Sequence, residues 1–127
     1  MNADTQLKDE DALKELNVKI GAAESSGDRE WLASILAPHL AFQRADKLLT
    51  VDDENAFLWK VKAGGRRATE IVEPIQLFGN RAIVQCIVRV WDSADKELGK
   101  FHNLRLFVKR AGQWKLLGWA NEEQPAG

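Results

Sequence analysis

The chain has 127 residues, 18 basic and 19 acidic side chains, a formal net charge of -1 and 45% apolar residues. That length fits one domain with its own hydrophobic core, and the balanced charge leaves no electrostatic footprint for nucleic acid. The single cysteine, Cys86, excludes a disulfide within the chain and points to a reducing, cytoplasmic setting.

The N-terminal stretch MNADTQLKDEDALKEL is acidic and carries no secretory signal. Asp4 or Thr5 caps a first helix in which Leu13, Leu16, Ile20 and Ala23 form one apolar stripe. Ser25-Ser26-Gly27 stops it. Asp28 caps a second, shorter helix burying Trp31, Leu32, Ile35 and Leu36, with Pro38 at its end. Residues 40–50 read as a small hairpin turning near Ala45-Asp46. Thr50 reads as the cap of a third helix, with Asp52, Asp53 and Glu54 in its first turn and Phe57, Leu58 and Val61 inside. Gly64-Gly65 ends it. Four strands follow at 67–78, 82–91, 98–110 and 114–122, separated by turns at Gly79-Asn80, 92–95 and 111–113. Pro74 marks a bend, edge or bulge in the first of them. Residues 123–127 are a polar tail. No apolar run reaches transmembrane length, so no membrane partner is expected.

Helices first and strands afterwards predict an α+β fold. A long curved antiparallel sheet wraps a long helix and leaves a conical cavity at one open end. The segment Val108-Lys109-Arg110-Ala111-Gly112-Gln113-Trp114-Lys115-Leu116 resembles the "V-x-R-x-G-x-W-x-[VIL]" hairpin of the nuclear transport factor 2 superfamily. The capped segment 50–54 after a hairpin is a second point of likeness. The chain is most similar to the SnoaL-like group, over residues 8–122 of a single domain spanning 1–127. That resemblance implies a cone-shaped, cystatin-like α+β barrel, with three helices in the first half, and a scaffold that hosts many functions.

The same superfamily includes the association domain of calcium/calmodulin-dependent protein kinase type II, whose pocket arginine lies on a strand similar to Leu104-Arg105-Leu106-Phe107. A second pocket arginine of that domain matches Arg89, and a third falls at Asn121. Alternation alone leaves both faces of strand 98–110 apolar; the resemblance turns Phe101, Asn103, Arg105 and Phe107 inward. Arg89 and Arg105 would then pair with a carboxylate or another small organic anion, Asn121 would add a hydrogen bond, and Trp59 an apolar wall. Trp91, Trp119 and His39 complete the expected pocket. The competing reading pairs the two arginines with Glu70, Glu73, Glu122 or Asp92. Trp31, Trp114 and Cys86 read as core, and His102 lies on the face opposite Arg105.

No catalytic set is evident. The chain has no tyrosine, so the hydroxyl-donor sites of ketosteroid isomerase-like and scytalone dehydratase-like relatives do not carry over. No aspartate occupies a strand centre, as epoxide hydrolase-like sites require. An isomerase, dehydratase or cyclase activity would need another base, such as His39, Glu70 or Glu73. His39 and His102 have no metal-ligand spacing, and neither metal nor other cofactor is expected. A homodimer through the apolar outer sheet face is expected, and a homo-oligomeric association module is the remaining alternative.

Overall fold

The computed structural model describes residues 3–125, in which three helices pack against one six-stranded sheet. Helix α1 (Ala3–Ser26) starts ahead of the expected Asp4 or Thr5 cap. It lays Leu13, Asn17, Ile20 and Ala23 against the sheet, all buried. Gly21 allows the close approach, because a Cβ there would stand 2.9 Å from Thr69 Oγ1 on the neighbouring strand. Gly27, at φ +73°, turns the chain out of the helix. Helix α2 (Arg29–Ile35) is capped by the Asp28 side chain, which accepts from the Trp31 N–H at 3.0 Å. It ends before Pro38, which lies inside strand β1 (Leu36–Gln43).

The expected hairpin at 40–50 is different in detail. The antiparallel partner of β1 is the two-residue strand β2 (Val51–Asp52), and 44–50 form a loop. Asp46 organises that loop: its carboxylate accepts from the Thr50 N–H at 3.1 Å and the Thr50 hydroxyl at 2.9 Å. These bonds hold the Asp46 carboxyl below its usual range. Thr50 is therefore spent on the loop, and Asp53 caps helix α3 (Glu54–Lys60) by accepting from the Ala56 N–H at 2.9 Å. Asp52 is buried and ion-paired with Lys60 at 3.1 Å and Arg44 at 3.5 Å.

Strands β3 (Arg66–Phe78), β4 (Arg81–Trp91), β5 (Glu97–Arg110) and β6 (Gln113–Glu123) form the antiparallel meander. The sheet order is β2-β1-β6-β5-β4-β3, and β1 runs parallel to β6. The cone-shaped, curved sheet expected from sequence is present; it is not closed, and it is mixed because β1 and β6 form one parallel pair. No short turn links β1 to β6, so nothing local forces them antiparallel. The β3–β4 register shifts between Val72 and Gln76, around the cis Glu73–Pro74 peptide. At the narrow end, buried Asp9 accepts from Lys109 Nζ at 2.9 Å and Trp114 Nε1 at 3.3 Å, tying α1 to the last hairpin. Of the expected tail, Glu123 belongs to β6 and the Gln124 N–H donates to Lys100 O at 2.8 Å; residues 126–127 lie outside the described residues.

Candidate ligand pocket

Arg105 is fully buried, at 0% exposure, inside the cone. Residues directly opposite on paired strands share a face, and Arg105 sits opposite Val84. Its Nη1 donates to Asn17 Oδ1 at 3.0 Å and Asn17 O at 3.4 Å, and its Nη2 to Asn103 Oδ1 at 3.0 Å. The guanidinium carbon lies 4.3 Å from the centre of the Trp119 ring. Nε has no hydrogen-bond partner among the described residues. Burial is the main influence on this group and pulls its pKa down. None of Glu70, Glu73, Glu122 and Asp92 pairs with it. Glu73 pairs with Lys14, and Asp92 accepts from the backbone of its own turn.

Arg89 is on the other side of the sheet. It is opposite Lys100, is exposed, and borders a separate groove with Glu97 and Glu123. The two arginines differ by an even number of residues, but the antiparallel register puts Arg105 with the even-numbered β4 positions Ala82, Val84, Cys86 and Val88. Trp59 is 77% exposed on the outer side of α3, because Phe57 takes the inner side and two residues turn a helix about 200°. His39 is exposed, at φ 67°, where the β1–β6 register is irregular. Trp91 is half-buried beneath Arg66, whose guanidinium carbon lies 3.8 Å from its ring centre. These four side chains are outside the cavity. Trp119 and Asn121 line it.

The cavity holds about 330 Å³ at the open end of the cone. Phe42, Val88, Val90, Phe101 and Trp119 supply apolar wall, and Glu24, Arg44, Asp46, Arg67, Asn103 and Asn121 supply polar groups. Trp119 is held by edge contacts with Phe42 at 4.7 Å, while Phe57 packs behind them at 5.2 Å from Phe42. Its Nε1 is shared between Asn103 Oδ1 at 2.9 Å and Asn121 Oδ1 at 2.6 Å. Arg44 is compensated by Asp46 and Asp52, each at 3.5 Å. Among the described residues Arg67 has only Glu24 Oε2 at 4.0 Å and a long bond to Ser25 Oγ at 3.4 Å.

Glu24, Arg67 and Arg44 were not among the residues expected from sequence. Two of them carry a readable signal. Glu24 falls on the same α1 stripe as Leu13, Asn17 and Ile20, and Arg67 alternates with inward Thr69 and Ile71 on β3. Cys86 is buried core, with Sγ 3.7 Å from Asn17 Oδ1, and burial pushes its thiol pKa up.

The Glu24 side chain is 14% exposed and makes no hydrogen bond among the described residues. Burial raises its pKa above the ordinary 4.5, against the opposing pull of Arg67 and Arg105. A carboxyl held above its unfolded value stabilises the fold fully below that value, and the contribution is lost as pH rises through the folded pKa. Glu24→Gln is therefore expected to raise the thermal midpoint by a few degrees at pH 7 and to leave it unchanged near pH 3. Paired melting curves at the two pH values check this; a lower midpoint at pH 7 would mean that the guanidiniums outweigh desolvation.

This architecture is the nuclear transport factor 2-like, cystatin-like fold. No protein-family model and no curated protein matches the chain. Solved structures match it over nearly its whole length. A nuclear transport factor 2-like protein of unknown function from Silicibacter pomeroyi has a TM-score of 0.74 and 18% identity, covering 98% of this chain and 100% of the other. A cystatin-like fold protein from Nostoc punctiforme has a TM-score of 0.76 and 18% identity, covering 99% and 96%. The CaMKII hub of S. rosetta has a TM-score of 0.68 and 20% identity, covering 90% and 95%. At these identities the likeness establishes the fold alone.

Proposed function

We propose that this domain binds a small organic anion in the conical cavity, with Arg67 as the charge partner. One observation carries the reading: Arg67 is a cavity-wall guanidinium whose nearest carboxylate is 4.0 Å away and makes no hydrogen bond to it. The apolar walls of a cavity of about 330 Å³ supply the remaining contact, within the range of small-molecule sites. Arg105 supports the floor from behind in this reading, in place of the direct pairing expected from sequence.

Titration calorimetry with 4-phenylbutyrate tests it. Arg67→Gln is expected to weaken binding about tenfold or more, the scale of a lost charge-assisted hydrogen bond. Arg89→Gln on the outer face is expected to leave binding unchanged. Equal losses from both substitutions, or none from either, would end the assignment of Arg67.

A second reading, compatible with the first, is a homodimer formed through the outer sheet face. It is supported by the exposed Leu104 and Leu106 on that face and by the likeness to a kinase hub. Among the described residues no helix is long and apolar enough to cross a membrane. A cytoplasmic location is part of this proposal and is supported by the buried free thiol of Cys86.

A further inference from the structure

We infer that the cavity floor is a carbonyl-recognition site formed by the Asn103 and Asn121 carboxamides, and that the ligand is an oxo acid. The inference rests on the anion-pocket reading above. It starts from a register fact: Asn103 on β5 and Asn121 on β6 are directly opposite partners and share the inner face.

The amide orientations follow from chemistry. Asn103 Oδ1 meets Arg105 Nη2 at 3.0 Å and Trp119 Nε1 at 2.9 Å. A guanidinium and an indole N–H only donate, so the oxygen must face both and the amide cannot be flipped. Asn121 Oδ1 meets the same Trp119 Nε1 at 2.6 Å, which fixes it the same way. Both oxygens are thus turned onto one donor cluster. Both Nδ2 groups make no hydrogen bond among the described residues, although both side chains line the cavity. Two adjacent amide donors, locked from behind by Arg105 and Trp119, match the two lone pairs of one carbonyl oxygen.

The charge partner is elsewhere on the wall. Across the sheet, Asn103 is level with Cys86 and Ile71, whereas Arg67 is level with Val90 and Gly99, two inward positions nearer the mouth. A single carboxylate does not serve both places. A ligand with its carboxylate at Arg67 and a neutral carbonyl further in does, with apolar atoms between them against Val88 and Phe101.

The test compares two matched pairs of probes: 4-oxo-4-phenylbutyrate against 4-phenylbutyrate, and 4-oxopentanoate against pentanoate. Calorimetry on the full chain is expected to give an oxo-acid preference of about tenfold or more in at least one pair. Asn103→Asp and Asn121→Asp keep the oxygens that Trp119 and Arg105 require but remove the amide donors. Each is expected to bring that preference close to one. The ratio within a pair cancels the added negative charge, since both probes carry the same carboxylate. Half-buried Asn121 gives a usable variant if Asn103→Asp does not fold. Binding of both members of each pair with no preference in the native chain overturns the carbonyl site and leaves the anion pocket standing. A preference that survives both substitutions also overturns it. No binding of any probe sinks the anion reading, and the carbonyl site with it.

Discussion

Arg105→Ala is expected to cost the fold about 3–5 kcal/mol, the largest single effect on stability proposed for this chain. For a domain of this size that is roughly a 10–20 °C drop in thermal midpoint. The guanidinium is fully buried and joins α1, β5 and β6 through Asn17, Asn103 and the Trp119 ring. Truncation leaves a cavity at that junction and removes a donor from two buried carboxamide oxygens, and each lost bond of that kind costs about 1–3 kcal/mol. Among the described residues no carboxylate pairs with the charge, however, and a buried cation in that position is expensive to hold. Arg105→Met fills most of the same volume without the charge and is expected to lose less than half of what Arg105→Ala loses. Arg105→Lys keeps the charge and loses the fork that reaches two asparagines at once, so it is expected to fall between native and Ala. Denaturant titration of the three variants orders them. If Ala and Met are equal, the volume argument is wrong, and if Lys matches the native chain, the fork is not needed.

The same residue explains what was legible in the sequence. The four long strands and the start of α2 follow from turn residues and the Asp28 cap, which act locally. The pairing of β1 with β6 joins segments far apart in the chain, and no local pattern announces it. For the pocket, Asn121 was legible only through the family likeness, because β6 does not alternate cleanly: Trp114 and Leu116 are buried, the β5–β6 register shifts at Leu117, and Trp119 and Asn121 turn inward after it. Arg89 was misplaced because a likeness between short strand segments does not fix register, and a slip of one residue exchanges the faces. Arg105 was correctly turned inward but given the wrong neighbours: amides and an indole surround it, and the open guanidinium belongs to Arg67. Asn17 and Glu24 were the missed clues. They are polar residues on the apolar stripe of α1, and a buried stripe tolerates them only where they are bonded, as Asn17 is, or reach a cavity, as Glu24 does.

Replacing Leu104 and Leu106 together with lysine is expected to convert a dimer to monomer at micromolar concentration, a weakening of at least about 100-fold, or about 3 kcal/mol. Both leucines are exposed on the outer face, at 38% and 39%. Across the strands Leu106 is level with Ile83 and Gly118, and Leu104 with Gln85 and Ala120. Gly118 leaves room for Leu106 to lie flat, since a Cβ there would stand 3.2 Å from its Cδ1. His102 Nε2 is 2.8 Å from Gln85 Oε1, so this polar pair on the same face satisfies itself. A two-fold contact would bring this patch onto its own copy, burying roughly 800 Å² per protomer if it is of standard size. Four added ammonium groups would then crowd one another, more than Glu122, level with His102 on the same face, can offset. The inner core lies on the other face of the sheet, so circular dichroism and the affinity for 4-phenylbutyrate should stay as they are. Sedimentation equilibrium reads the outcome: a native chain that is monomeric at micromolar concentration removes the dimer, and a double variant that remains dimeric moves the interface to another face.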